Sequence, residues 1–152
     1  MKKIISLFAA IVVAISLVAV PVNAEGEVTI YLGSSTTTAK DGDVFTVTLN
    51  SNEGTKLVGL SGCSVTFDKT RLECINMAFA EDCYGATNIV EDEIRMNPIS
   101  NSVITNPVVT LTFKVKEGAA AGDAVFGLST DAIMVDNESS GITYDTLYSG
   151  FK

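Results

Sequence analysis

Thr110-Leu111-Thr112-Phe113-Lys114-Val115 alternates polar and apolar residues without a break. Alternation with a period of two places Leu111, Phe113 and Val115 on one face of an extended strand and the threonines and lysine on the other. The same period recurs outward along the chain. Val28, Ile30 and Leu32 alternate with Thr29 and Tyr31. Phe45, Val47 and Leu49 alternate with Thr46, Thr48 and Asn50. Cys63, Val65 and Phe67 alternate with Ser64 and Thr66. Helical spacing is scarce. Asp41-Gly42-Asp43, Asn52-Glu53-Gly54, Asn106-Pro107, Glu117-Gly118, Gly122-Asp123 and Asn137 to Gly141 supply turn chemistry between the runs. One wet and one packed face on many short strands predicts an all-β, antiparallel β-sandwich.

The first 24 residues read as an address. Lys2 and Lys3 precede an uncharged apolar run from Ile4 to Val20, and Pro21-Val22-Asn23-Ala24 ends it with small residues. This is the layout of a secretory signal peptide with cleavage after Ala24. The expected division is therefore 1–24 signal peptide and 25–152 β-sandwich domain. The exported domain is expected to be secreted, with no membrane segment after cleavage and with attachment to a cell surface only through a partner. The positive mean hydropathy of +0.34 arises partly in the leader.

Composition excludes several function classes. The 152 residues carry 18 acidic and 10 basic side chains, a formal charge of −8, and no histidine. Ser-His-Asp and Cys-His schemes and imidazole zinc sites are ruled out. The acidic balance argues against nucleic acid, whose phosphates need a Lys/Arg footprint, and against an anionic membrane surface. Paired carboxylates for glycoside hydrolysis would need a cleft. No cleft-forming insertion is visible, and no enzymatic activity is expected.

Three acidic clusters, Asp41 with Asp43, Glu91-Asp92-Glu93, and Asp131 with Asp136 and Glu138, are solvated turn carboxylates on this reading. None has the spacing of an EF-hand loop, so no cofactor is assigned. The three cysteines allow one internal pair. Cys74–Cys83 is the most local pairing, Cys63–Cys74 is also feasible, and unpaired buried thiols are the third reading.

Gly59-Leu60-Ser61-Gly62-Cys63-Ser64-Val65-Thr66-Phe67-Asp68, followed by Lys69-Thr70-Arg71-Leu72-Glu73-Cys74-Ile75, resembles the cohesin pattern. In that pattern a strand ends in an aromatic-Asp pair, turns, and restarts with Leu-Glu. Asp41-Gly42-Asp43-Val44-Phe45-Thr46-Val47 resembles the cohesin second strand. Val109 to Gly122 resembles its long late strand and Ala/Gly turn, and Tyr148-Ser149-Gly150-Phe151 its last strand. The resemblance implies a jelly-roll sandwich of about nine strands that docks dockerin-bearing proteins, such as glycoside hydrolases in cellulosome-type assemblies. Calcium would then enter through the dockerin partner.

In cohesins the dockerin lies on strands three, five, six and eight. The resemblance maps strand three onto Leu60 to Phe67, strand five onto Ala86 to Val90 and strand six onto Ile94 to Pro98. It thereby implies partner-binding positions Leu60, Gly62, Ser64, Thr66, Thr87, Asn88, Arg95 and Asn97. Well-known cohesins often place Asn and Asp on the third strand, where this chain has Leu60 and Gly62. The departure implies a flatter, more apolar contact or a divergent partner. The rows read equally as the wet side of a sheet. The alternative within the same sandwich superfamily is a carbohydrate-binding module. It would stack a polysaccharide on exposed aromatics. With no Trp in the chain, Tyr31 and Tyr84 are the candidates.

Overall fold

A computed structural model describes residues 12–17, 22–23, 29–52, 56–137 and 141–146. Among the described residues there is no helix, and the strands are β1 (Val12–Leu17), β2 (Val22–Asn23), β3 (Thr29–Ser34), β4 (Thr38–Lys40), β5 (Val44–Ser51), β6 (Leu57–Ser61), β7 (Cys63–Thr66), β8 (Leu72–Phe79), β9 (Cys83–Tyr84), β10 (Thr87–Val90), β11 (Glu93–Met96), β12 (Ile99–Ser100), β13 (Val109–Val115), β14 (Gly122–Ser129), β15 (Ala132–Asn137) and β16 (Gly141–Thr146). They form three sheets, ordered β2-β3-β5-β13-β8, β10-β11-β7-β14-β1-β4 and β16-β15-β6-β12-β9.

Part of the excess over nine strands has a simple origin, since joining four creased pairs turns sixteen segments into twelve. Four long strands cross from the second sheet to the third and keep the same neighbours, β10-β11-β7-β14 on one side and β9-β12-β6-β15 on the other. Each breaks at one crease: at Gly85-Ala86, Asn97-Pro98, Gly62 and Thr130-Asp131. Gly62 has φ +60°, a left-handed conformation that glycine adopts freely. The crease is stitched by hydrogen bonds. Gly62 N–H donates to Asn97 Oδ1 (2.7 Å). Asp131 N–H donates to the Ser61 carbonyl (2.9 Å), and the Thr130 hydroxyl donates to the same carbonyl (3.0 Å).

The alternating runs do what their period requires. Ile30, Leu32, Phe45, Val47, Leu49, Cys63, Val65, Phe67, Leu111, Phe113 and Val115 are all buried in one continuous core. Phe113 is its hub, with ring centroids 5.9 Å from Phe45, 5.2 Å from Phe67 and 5.1 Å from Phe126. Phe45 and Phe113 lie on β5 and β13, whereas Phe126 lies on β14 of the facing sheet. Burial of these rings is therefore what clamps the two layers. None of the buried side-chain nitrogen or oxygen atoms among the described residues lacks a partner.

β1 falls inside the stretch expected to be a leader. It lies parallel to β14 and antiparallel to β4, and Val13 and Ile15 are buried. The expected last strand at Tyr148–Phe151 lies outside the described residues. Gly122-Asp123, expected as a turn, opens β14 instead.

The Phe67-Asp68 turn is built as its sequence suggests. Asp68 accepts from the Thr70 N–H (2.9 Å) and hydroxyl (2.5 Å) and pairs with Arg71. Arg71 Nε in turn donates to the Ala120 carbonyl (2.9 Å). Burial works against the carboxylate, but the bonds from Thr70 and Arg71 together outweigh it and hold the Asp68 pKa below its usual value. Asp68→Asn is accordingly expected to cost about 1–2 kcal/mol at neutral pH. A depressed folded pKa contributes stability above the unfolded value near ~4 and loses it as pH falls through the folded value. The gap between wild type and variant in urea unfolding should close in acid. A gap of the same size at pH 2 would overturn this account.

Candidate functional site

The four strands β10, β11, β7 and β14 present two cross-strand rows to solvent. In one row Asn88 pairs with Arg95, Arg95 with Ser64, and Ser64 with Ser129. In the other Val90 pairs with Glu93, Glu93 with Thr66, and Thr66 with Gly127. Directly opposed residues share a face. The intervening Ile94 and Met96 are fully buried, so the rows point away from the core.

The middle of the face is organised by Glu93. It accepts from the Ser64 hydroxyl (2.8 Å) and from Arg95 Nη2 (2.8 Å). Bonds from Arg95 and Ser64 hold its carboxyl below the ordinary range. Arg95 remains well exposed and is fixed in direction by its partner. It offers further guanidinium N–H groups to an incoming acceptor. Gly127 is small for a reason: a Cβ there would sit 2.5 Å from Thr66 Oγ1. At the rim, Lys69 pairs with Glu91 and ties the turn after β7 to the β10–β11 hairpin.

Six of the expected positions therefore share one surface region, with different roles. Ser64, Thr66, Asn88 and Arg95 lie in the rows. Ser64 is nearly covered by its neighbours, at 8% exposure. Gly62 and Asn97 are exposed at the crease, where the Asn97 oxygen is already used by Gly62 N–H. Thr87 is exposed but is in register with the buried Met96, so its phase is that of the inner face and only its edge position leaves it open. Leu60 is a correction. It is fully buried, because the left-handed turn at Gly62 shifts the phase and sends both Leu60 and Cys63 inward. Glu93 and Ser129 were not anticipated. Glu93 reads in sequence as part of an acidic turn, yet only Glu91 and Asp92 form that turn.

Tyr31 and Tyr84 are both exposed, at 41% and 54%. They lie in different sheets, on β3 and β9, and so make no common strand platform. The Cys74–Cys83 pairing is likewise corrected, since all three cysteines are free thiols. Cys74 stands opposite Phe113 in one sheet and Cys83 opposite Ser100 in another. No group of three or more acidic or thiol side chains among the described residues is arranged to hold a metal ion. Asp41 and Asp43 instead accept from the backbone N–H groups of Gly118 and Lys40.

Neither a family model nor a curated protein matches the chain. Solved structures do. A chain of the Coh-OlpA–Doc918 complex, a type I cohesin–dockerin complex from Clostridium thermocellum, superposes with a TM-score of 0.61 at 15% identity, over 77% of this chain and 92% of that one. The seventh ScaB type I cohesin from Pseudobacteroides cellulosolvens superposes with a TM-score of 0.57 at 15% identity, over 88% of this chain and 83% of that one. The fold is that of the type I cohesins. At such identity the likeness is one of backbone architecture. It agrees with the cohesin-like order of strands and turns read between Asp41 and Gly122.

Proposed function

We propose that this chain is a cohesin-type docking module whose β10-β11-β7-β14 face receives a dockerin-bearing protein. The observation that carries the reading is the shared fold with type I cohesins, one of them solved as a cohesin–dockerin complex. The polar rows support it. A fixed, exposed Arg95 beside Ser64 and Asn88 can recognise carboxylate and amide groups directionally. The proposed role is contact without catalysis. With it goes an extracellular setting, export through removal of residues 1–24, and a partner such as a glycoside hydrolase in polysaccharide degradation. Every residue named on the face follows Ala24, but β14 pairs with β1 from Gly122 to Phe126, so removal of residues 1–24 would free that edge of β14.

Calorimetric titration against dockerins from the same organism, with calcium present, tests the reading. At least one should bind with 1:1 stoichiometry, and failure across the whole set would sink it. Reversing the central charge with Arg95→Glu is expected to weaken that binding at least ~10-fold. Because the Arg95–Glu93 pair is largely exposed, its replacement by two like charges should lower the melting temperature only modestly. An unchanged affinity would remove Arg95 from the interface.

A further inference from the structure

A groove lies across the crease from the polar rows, lined by Asp82, Cys83, Tyr84, Ser100, Asn101 and Ser102, with a volume of about 540 Å³. That size falls within the ~300–1,000 Å³ of small-molecule sites. We infer that it is a binding site for neutral sugar units of a polysaccharide. This inference does not depend on the docking role, because the groove lies on the β9–β12 pair of another sheet.

The chemistry of the lining selects the ligand. Tyr84 is 54% exposed and is seated on a strand, opposite Ile99 in the ladder. The Tyr84 ring is the apolar shelf of the groove, and the exposed Ile99 opposite it lies beside the groove and outside its lining. A pyranose has an apolar C–H face that suits such a shelf and a rim of hydroxyls that both donate and accept. The lining answers that rim with a carboxylate acceptor at Asp82, an amide donor at Asn101 and a hydroxyl at Ser102, with the buried Ser100 hydroxyl behind it.

The polar groups are pre-set. The Tyr84 hydroxyl donates to Asn101 Oδ1 (3.4 Å), and the exposed Asn101 side chain keeps its amide N–H groups as donors. Ser102 N–H donates to Ser100 Oγ (3.2 Å), and the two hydroxyls lie 3.4 Å apart. Asp82 is held at φ +60°, outside the usual range for a residue with a side chain.

Other ligand classes fit less well. The lining holds no cation, and Asp82 would repel phosphate, sulfate or a uronate. A purely apolar ligand would desolvate the exposed Asp82, Asn101 and Ser102 without offering them a partner.

Affinity electrophoresis in gels containing hydroxyethyl cellulose, xylan, galactomannan or polygalacturonate tests the site. Retardation is expected in at least one neutral gel and none in polygalacturonate. Tyr84→Ala should weaken the retardation at least ~10-fold, and Tyr84→Phe should keep most of it. Asn101→Ala, on the groove rim, should weaken it several-fold, whereas Tyr31→Ala should leave it unchanged. Melting temperatures check that each variant is folded. No retardation in any neutral gel, or full retardation by folded Tyr84→Ala, would overturn the inference. Dockerin titration of Tyr84→Ala keeps the two roles apart, because docking should be unaffected even where sugar binding is lost.

Discussion

Phe113→Ala is expected to destabilise the domain by about 3–5 kcal/mol, as large-to-small changes at buried aromatics do. Phe113 is fully buried. Its ring touches those of Phe45, Phe67 and Phe126, which come from both layers of the sandwich. Truncation removes three aromatic contacts and opens a cavity whose walls are strands held by ladder bonds on both edges of β13, to β5 and β8. Such walls relax poorly, so the cavity part of the cost should persist. For a chain of this length the melting temperature should fall by on the order of 10 °C or more. Phe113→Leu, which keeps most of the volume, should cost much less. Urea unfolding of both variants checks the expectation. A loss below about 1 kcal/mol for the alanine variant would show that the ring cluster is not the clamp between the layers.

Gly62→Val is expected to be nearly as damaging and to reach the candidate interface as well. Gly62 holds φ +60°, and a Cβ there would sit 2.1 Å from Asp131 Oδ2 and 2.6 Å from its Cγ. The left-handed backbone alone disfavours an L residue by about 1–2 kcal/mol, and a β-branched one by more. Displacing Asp131 then disturbs the neighbouring crease bond from its own N–H to Ser61. A total loss of about 2–4 kcal/mol is the expected outcome. Ser64 lies within its row only two residues beyond the crease, so partner affinity should fall too. Gly62→Ala measured alone and in an Asp131→Ala background separates the contributions. The steric part should shrink in the double variant to the 3.0 Å contact with the Cβ at position 131, and the backbone part of about 1 kcal/mol should remain. Equal costs in both backgrounds would refute the steric argument.

The strands were legible wherever one face is wet and the other packed. Phe45-Val47-Leu49 and Leu111-Phe113-Val115 state their inner face residue by residue. The crease was not legible by the same means. Gly62 sits inside what reads as one strand, and only its left-handed backbone reveals that the phase changes there. One signal was available: Leu57, Val58, Gly59 and Leu60 form an unbroken apolar run, and all four are buried, which no half-exposed strand would do. Glu93 was hidden because three consecutive acids suggest a single turn. The register Val90 opposite Glu93 makes Glu91-Asp92 a two-residue hairpin turn, with Glu91 at φ +58°, and leaves Glu93 on the strand. Cysteine pairing could not be read, because proximity of Cys74 and Cys83 in sequence says nothing of their placement in separate sheets.

The burial of Cys63 has a kinetic meaning. Its thiol is sealed in the core, and burial pushes its pKa up to about 12. Neither alkylating reagents nor oxidants reach a thiolate there while the native state is closed. Cys74 and Cys83 are only partly covered and react without global opening. With those two replaced by serine, the modification rate of Cys63 becomes a clock. It reports how often the sandwich opens, without denaturant.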